Sequence, residues 1–331
     1  MGFDGFFAEQ LAALDSIETT THPYRISEVH RDRLSALAPA GTRSLRAPEG
    51  QESGAFAVGD WVLADEAGRI VHLLERKSLL HRRAAGTDAR RQLIAANCDT
   101  LFITSSCNAD FNPARLERFL VLAYQAGCAP VILLTKADRV DNPHDWQARA
   151  QALDTRVPVL AINALDAQDL SRVGEFCPRG KTGALVGSSG VGKTTLTNGL
   201  CARNDATGAI REEDARGRHI TTSRTLRAMI NGGWIIDTPG MRALRLEEAG
   251  AGLEAMFADI GELAAQCRFS DCAHESEPGC AVQAALAEGR LEAERLARWH
   301  KLRQEEARNS ERLARSQSRR DGAGNKRRRK S

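Results

Sequence analysis

One short segment constrains the fold of this 331-residue chain more than any other. Residues 187–194 read GSSGVGKT and fit the pattern G-x-x-x-x-G-K-[ST], directly after the apolar run 184–186 and before a helical segment. In that setting the backbone N–H groups cradle phosphates, the lysine reaches the β- and γ-oxygens and the following hydroxyl meets Mg²⁺. We expect the nucleotide phosphates to be bound by Gly187, Ser188, Ser189, Gly190, Val191, Gly192, Lys193, Thr194 and Thr195, with Lys193 and Thr194 also serving catalysis.

A second phosphate-site motif, Asp-Thr-Pro-Gly, follows the apolar run 233–236. Its Asp237 can hold Mg²⁺ through water, and the N–H of Gly240 can meet a γ-phosphate. Alone the tetrapeptide could be a simple turn. Downstream of a phosphate-binding loop it predicts the second switch of a GTPase.

Between these motifs lies the polar segment GRHITTS, residues 217–223, which predicts a switch loop. A hydroxyl from this loop is expected to complete the Mg²⁺ shell. Thr221 and Thr222 are both candidates, and the sequence does not separate them.

The tetrapeptide Thr-Lys-Ala-Asp at 135–138 resembles the guanine-recognition motif NKxD. The Asp138 carboxylate can accept from guanine N1–H and the N2 amino group, and adenine offers no such pair of donors. Lys136 is expected to pack along the base, with Ala137 between the two. Thr135 replaces the usual Asn, so we expect it to leave the phosphate-binding loop without its usual brace and to lower affinity.

Asn163 and Ala164, after the next apolar run, lie where GTPases carry a Ser-Ala-Lys or Ser-Ala-Leu element. That element contacts guanine O6 through a backbone N–H, so Asn in place of Ser is tolerable. We therefore expect GTP and GDP as the ligands. A P-loop kinase or ATPase is disfavoured, because adenine has no pair of donors for the Asp138 carboxylate.

The base motifs precede the phosphate-binding loop, whereas in ordinary GTPases they follow both switches. The usual order of the motifs is therefore rotated. Apolar runs alternate with helical segments from residue 98 onward, a pattern typical of a parallel sheet covered by helices on both faces. Such a sheet tolerates a circular permutation when its old termini are joined and the new break falls in a surface loop. We therefore predict a circularly permuted α/β P-loop domain over residues 93–245.

Short β-like runs separated by turn residues precede this domain and predict a small antiparallel barrel over residues 23–92, after an N-terminal extension at 1–22. The β-like runs of the barrel are Tyr24–Val29, Ala55–Val58, Trp61–Ala64 and Ile70–Leu74.

After the α/β domain, a helical module is predicted at 246–310.

Three cysteines and a histidine cluster in the spacing C-x4-C-x-H-x5-C, at Cys267, Cys272, His274 and Cys280. Three thiolates and one imidazole form a full tetrahedral set for one structural Zn²⁺, with no position left for water. The alternative is a set of reduced cysteines beside a surface histidine, but the acidic and turn residues around them make a poor apolar core.

The chain carries a formal net charge of +3, yet residues 311–331 hold nine Lys or Arg against two acids. Without apolar periodicity, this segment predicts a disordered basic tail that meets a polyanion or merely aids solubility. No secretory signal or membrane span is indicated, so we expect a cytoplasmic protein that does not bind membranes.

The order TKAD, P-loop, GRHxTT, DTPG and C-x4-C-x-H-x5-C resembles the family of GTPases that depend on the small ribosomal subunit. The resemblance covers about residues 25–300. It implies an OB-fold barrel, a permuted GTPase domain and a zinc-binding helical domain. It also implies GTP hydrolysis stimulated by the 30S subunit, contact with 16S rRNA late in subunit maturation, and action as a monomer.

Met241 follows DTPG where Ras-like enzymes place a water-orienting Gln, and a thioether cannot orient water in that way. His219 is the candidate for this catalytic role, although it could instead contact RNA or pack the switch loop. An alternative function is an RNA-binding assembly module in which nucleotide acts only as a conformational switch and turnover is incidental.

Overall fold

The amino-terminal region of the structure, a computed structural model, is a small barrel preceded by a helix. The structure describes residues 1–14, 21–83, 91–201, 224–238 and 249–328. The elements here are α1 (Gly5–Ala13), β1 (His22–Val29), β2 (Leu34–Ala38), β3 (Gly41–Leu45), β4 (Trp61–Ala64) and β5 (Ile70–Leu73). The strands form an antiparallel sheet in the order β3-β2-β1-β4-β5, and a parallel bridge between Arg46 and Arg69 joins its two edges. This closure is the connectivity of an OB-fold barrel.

The segment 55–58 is not the strand that its apolar residues predict. Residues Ser53–Ala55 form a 3-10 turn, and Val58 makes a single bridge, to Ala95. The Asp60 carboxylate accepts the N–H of Ala57 at 2.8 Å and thereby closes a tight turn. A short side-chain acceptor therefore captures a backbone donor that a strand would have used.

A hairpin of β6 (Leu79–Arg83) and β7 (Arg91–Ala96) connects the barrel to the next sheet. The domain boundary drawn after residue 92 from the sequence falls inside β7. Gly59 of the barrel lies against the end of β7. A Cβ at this position would come within 2.2 Å of the Ala96 carbonyl oxygen, so only glycine fits here.

In the part of the chain that the structure describes, the nucleotide-binding sheet has six strands in the order β10-β9-β8-β11-β13-β12. Its elements are β8 (Thr100–Ser106), α2 (Pro113–Ala126), β9 (Ala129–Thr135), α3 (Pro143–Gln151), β10 (Val159–Ala161), α4 (Ala167–Glu175), β11 (Thr182–Gly187), α5 (Lys193–Leu200), β12 (Thr225–Ala228) and β13 (Trp234–Asp237). Five strands are parallel, and the edge strand β12 runs antiparallel to β13. The central strands are buried on both faces, as an α/β sheet requires.

The carboxyl-terminal elements are four helices: α6 (Gly250–Met256), α7 (Ala258–Ala264), α8 (Ala281–Ala287) and α9 (Ala293–Arg328). Backbone contacts divide the chain into two units, Met1–Phe119 with Ala126–Ala243, and Leu120–Gln125 with Leu244–Ser331. The predicted domain limits stay predictions, but the predicted boundary after residue 245 lies within two residues of this division.

The predicted disordered tail differs from the structure, because α9 continues to Arg328. Ala, Arg, Glu, Gln and Lys favour helix, and the helix continues through Gly322 and Gly324 although glycine is a poor helix former. None of the helices that the structure describes is long and apolar enough to cross a membrane.

Arg25 of β1 ties the barrel to the nucleotide-binding sheet. Its guanidinium is buried and donates to the Met1 carbonyl at 2.6 Å and to the Thr182 hydroxyl, at the start of β11, at 2.7 Å. The Trp61 ring lies 5.7 Å away, and burial lowers the pKa of Arg25 to about 10. Uncharged acceptors thus satisfy a cation that would otherwise be costly to bury.

We predict that Arg25→Lys lowers the free energy of unfolding by about 2–3 kcal/mol, because a lysine cannot reach the same acceptors and leaves buried oxygens unpaired. Urea unfolding followed by tryptophan fluorescence measures this. Arg33→Lys, at an exposed position of the same barrel, is the control. Equal midpoints for the two variants would contradict the assigned role of Arg25.

Candidate functional site

The phosphate-binding loop connects β11 to α5, and glycine is required at its start. Gly187 has φ 146°, and a Cβ there would lie 2.2 Å from the Thr104 carbonyl oxygen of neighbouring β8. Gly190 and Gly192 also have positive φ, 79° and 96°. These conformations turn successive backbone N–H groups toward one side, which suits an anion.

Lys193 opens α5, and its side chain folds back over this loop. The Nζ donates to the carbonyl oxygens of Gly187 at 2.9 Å and Ser188 at 2.5 Å. Burial lowers the pKa of Lys193, while the nearby carboxylates of Asp237 and Asp110 oppose that shift. Thr194 lies exposed beside it on the same helical turn. A buried cation beside the backbone N–H groups of this loop is suited to bind phosphate oxygens.

Asp237 ends β13, the strand directly beside β11, and is half-buried. The next residue, Thr238, is buried, and its hydroxyl donates to the Leu185 carbonyl oxygen of β11. The acid is therefore held at the carboxyl edge of the sheet, as the phosphate-binding loop is. Four other predicted site residues lie outside the described residues: His219, Thr221, Thr222 and Gly240.

The Thr-Lys-Ala-Asp motif ends β9 and contacts the phosphate-binding loop directly. The Thr135 hydroxyl, 1% exposed, lies 2.6 Å from the Val191 carbonyl oxygen and 3.1 Å from that of Ser105. Lys136, with φ 59°, donates from Nζ to the Gly190 carbonyl oxygen at 3.0 Å. The expectation that Thr leaves the loop unbraced is wrong, because its hydroxyl, although shorter than an Asn amide, reaches a carbonyl of the loop.

Asp138 lies in a 3-10 turn formed by Ala137–Arg139, and its side chain is exposed to solvent. The N–H of Ala137 donates to the Ile162 carbonyl oxygen at 3.2 Å, which joins this turn to the end of β10. An exposed carboxylate on an anchored turn is free to accept from the N1–H and N2 amino group of guanine.

Asn163 and Ala164 follow β10 in a tight turn. The Asn163 side chain accepts the N–H of Leu165 at 3.0 Å, and its own N–H donates to the Asp169 carboxylate at 2.8 Å. Asn163 therefore shapes this turn with its side chain. Leu165 is 79% exposed beside it, and sequence reasoning did not single it out.

We predict that Thr135→Val weakens GTP binding about tenfold, because the Val191 carbonyl loses its donor and the loop loses its brace. Thr135→Ser keeps the hydroxyl and should bind within about threefold of the unsubstituted protein. Fluorescence titration with a labelled guanine nucleotide measures both. Equal affinity of the Val and Ser variants would show that the brace does not matter.

The second candidate site is the cysteine and histidine cluster of the helical unit. The ligand atoms of Cys267, Cys272, His274 and Cys280 all lie within 4.8 Å of one another. The Sγ atoms of Cys267 and Cys280 are 3.8 Å apart, and each lies 3.6 Å from Nδ1 of His274. Tetrahedral Zn²⁺ with Zn–S of about 2.3 Å and Zn–N of about 2.0–2.1 Å needs edges of roughly 3.6–3.8 Å. The donor set therefore fits the metal that its spacing predicts.

Two supports of this cluster were not foreseen from the sequence. The Glu277 carboxylate accepts backbone N–H groups from Ala273 at 2.8 Å and Glu275 at 2.9 Å. Its pKa is lowered to about 2, first by its own backbone N–H and then by that of Ala273. The Trp299 ring of α9 lies 5.5 Å from the His274 ring. A Glu directly before Pro-Gly-Cys could have been interpreted as such a loop acceptor, but Trp299 gave no sequence signal.

We predict that the purified protein contains one equivalent of zinc and that Cys280→Ser loses most of it, since removing one thiolate opens the tetrahedral set. Metal analysis by mass spectrometry measures the content. Cys201→Ser, a half-buried cysteine outside the cluster, is the matched control and should keep the metal. Full zinc content in the Cys280 variant would rule out this ligand.

Sequence comparison finds relatives along the whole chain. A profile of the RsgA GTPase family matches residues 73–247. A Small ribosomal subunit biogenesis GTPase RsgA from Mesorhizobium japonicum is 50% identical over 315 residues, covering 94% of this chain and 90% of the relative. A Small ribosomal subunit biogenesis GTPase RsgA 2 from Vibrio parahaemolyticus is 44% identical, covering 97% of this chain and 90% of the relative.

Two solved structures share the fold. YjeQ from Thermotoga maritima matches with a TM-score of 0.62 and 22% identity, covering 85% of this chain and 97% of that one. YloQ, described as a circularly permuted GTPase, matches with a TM-score of 0.60 and 24% identity, covering 86% and 95%.

The base motif before the phosphate-binding loop, on a sheet shared with these structures, defines a circularly permuted P-loop GTPase, an enzyme that hydrolyses GTP. The chain belongs to the RsgA GTPase family.

Proposed function

We propose that this GTPase acts in late maturation of the 30S ribosomal subunit, hydrolysing GTP when the subunit stimulates it and contacting 16S rRNA. The main support is the 50% identity to a relative named for small ribosomal subunit biogenesis, which extends over 94% of this chain. The likeness therefore includes the barrel and the helical unit as well as the nucleotide-binding sheet.

Among the described residues, those proposed to bind GTP lie at or just after the ends of β9, β10, β11 and β13. Asp138 reads the guanine N1–H and N2 amino group, Lys136 lies along the base, and the Ala164 N–H meets O6. The remaining contacts are proposed for Thr135, Ala137, Asn163, Gly187, Ser188, Ser189, Gly190, Val191, Gly192, Lys193, Thr194, Thr195, Asp237 and Gly240.

For hydrolysis, the proposed role of Lys193 is to hold the β- and γ-phosphate oxygens as charge develops on them. Mg²⁺, held by Thr194, Asp237 and Thr221 or Thr222, would neutralise charge on those oxygens when bound. His219 stays the candidate for orienting the attacking water. This assignment rests on the sequence alone.

One structural Zn²⁺ in the helical unit is proposed to fix the loop between α7 and α8. The proposed partners are the 30S subunit with its 16S rRNA, GTP and GDP, and the setting is the cytoplasm. The basic end of the chain would meet RNA phosphates, and the protein would act as a monomer.

We predict that Asp138→Asn lowers GTP affinity about ten- to a hundredfold and raises that for xanthosine triphosphate, because an amide donates where xanthine carries an oxygen. Turnover of both nucleotides, with and without purified 30S subunits, measures base choice and stimulation together. Asp145→Asn, an exposed acid on α3, is the control.

Unchanged discrimination between the two nucleotides would contradict the base assignment. Subunit release that is equally fast with GTP and with a non-hydrolysable analogue would favour the rival function, an assembly module switched by nucleotide binding alone.

A further inference from the structure

The barrel strand β1 lies against β12, the edge strand of the nucleotide-binding sheet. At this contact the Thr225 hydroxyl donates to Oε1 of Glu28 at 3.1 Å. Both side chains are half-buried, so the bond is partly shielded from water. It joins two residues that are 197 positions apart in sequence.

Thr225 lies beside a residue of the proposed hydrolytic site. It is the first residue of β12 and pairs antiparallel with Asp237, the acid at the end of β13. In such a pair the two Cα atoms lie about 4.5–5.5 Å apart, so a displacement of one residue is felt by the other. Thr225 also follows the predicted switch segment 217–223 after a single residue.

Glu28 lies near the end of β1, where the chain enters the turn to β2. Its second oxygen, Oε2, lies 3.2 Å from Nε2 of His30 at the start of that turn. The turn also carries Arg31 and Arg33, both exposed. In OB-folds generally, the loop between the first two strands is one of those that contact oligonucleotides.

The carboxylate of Glu28 therefore connects two places. One oxygen faces the β1–β2 turn, which carries exposed cations suited to RNA phosphates, and the other accepts from the residue paired with Asp237. The barrel cannot slide freely along this contact, because Arg25 fixes the same strand to Thr182 at the base of β11. A rotation of β1 about that fixed point would pull on Thr225.

We propose that Glu28 and Thr225 are positioning residues that carry the effect of RNA bound at the barrel to the hydrolytic site. RNA at the β1–β2 turn holds the Glu28 carboxylate in place, and its bond to Thr225 then sets the position of β12 and of Asp237. This inference rests on the proposed stimulation by the 30S subunit. Neither residue is among those proposed to bind GTP.

The test uses the full-length protein with GTP alone and with purified 30S subunits. Thr225→Val and Glu28→Met remove the bond at nearly constant volume, while Thr225→Ser and Glu28→Gln keep a donor and an acceptor. Asp65→Asn, which disturbs the exposed Asp65–Arg69 pair elsewhere on the barrel, is the control. Subunit affinity is measured separately by co-sedimentation.

We expect the Val and Met variants to lose about three- to tenfold in the subunit-stimulated kcat, the effect of one partly buried hydrogen bond. Their basal kcat and subunit affinity should stay unchanged, and the Ser and Gln variants should retain stimulation. The double variant should lose no more than either single one, since both remove the same bond.

Three results would overturn the inference. Full stimulation in the Val and Met variants would show that the Glu28–Thr225 hydrogen bond has no part in stimulation by the subunit. An equal fall in basal and stimulated kcat would make it structural, and a fall explained by weaker subunit binding would make it part of the docking surface. If the unsubstituted protein is not stimulated by 30S subunits at all, the proposed function itself fails.

Discussion

The hydrogen bond from Thr135 to the Val191 carbonyl is the contact on which the nucleotide site depends. It joins the Thr-Lys-Ala-Asp motif to the phosphate-binding loop, and these segments come from strands separated in the sheet only by β8. A cleft built in this way requires only that strand ends meet at one edge of a parallel sheet. The order in which the chain visits those strands does not matter, which is why a permuted sequence can build a GTPase site.

Much of this arrangement could be predicted because periodicity and motif agree. The apolar run 184–186 lies inside β11, and the predicted run Trp61–Ala64 has the same bounds as β4. These segments combine continuous apolar character with clear breakers, so local propensity and tertiary burial favour the same structure.

The features that the sequence did not predict correctly have local causes. The residues of β2 and β3 include small and charged side chains with little β-propensity. Pairing of β2 with β1, and of β3 with β2, is what makes them strands. At Ala57 a nearby carboxylate captures the backbone, which no apolar pattern reveals. The effect of Thr135 was misjudged because the sequence gives the length of a side chain but not the distance it must reach.

In the helical unit, the features close together in sequence could be predicted and the contacts between distant residues could not. Four ligand residues within fourteen positions are visible as a spacing, and the geometry among them follows from the metal they suit. Trp299, which packs against His274, lies far along α9 and becomes relevant only after folding. Metal binding and the placement of this helix are thus physically connected.

The length of α9 has a consequence of its own. Its 36 residues, at about 1.5 Å of rise each, make a rod of roughly 54 Å, well beyond the diameter of a small domain. A stiff arm of this span acts over distance: under the proposed function its arginine-rich end would meet RNA phosphates at a site remote from the one that its base occupies, so that a single chain would span two separate regions of the subunit.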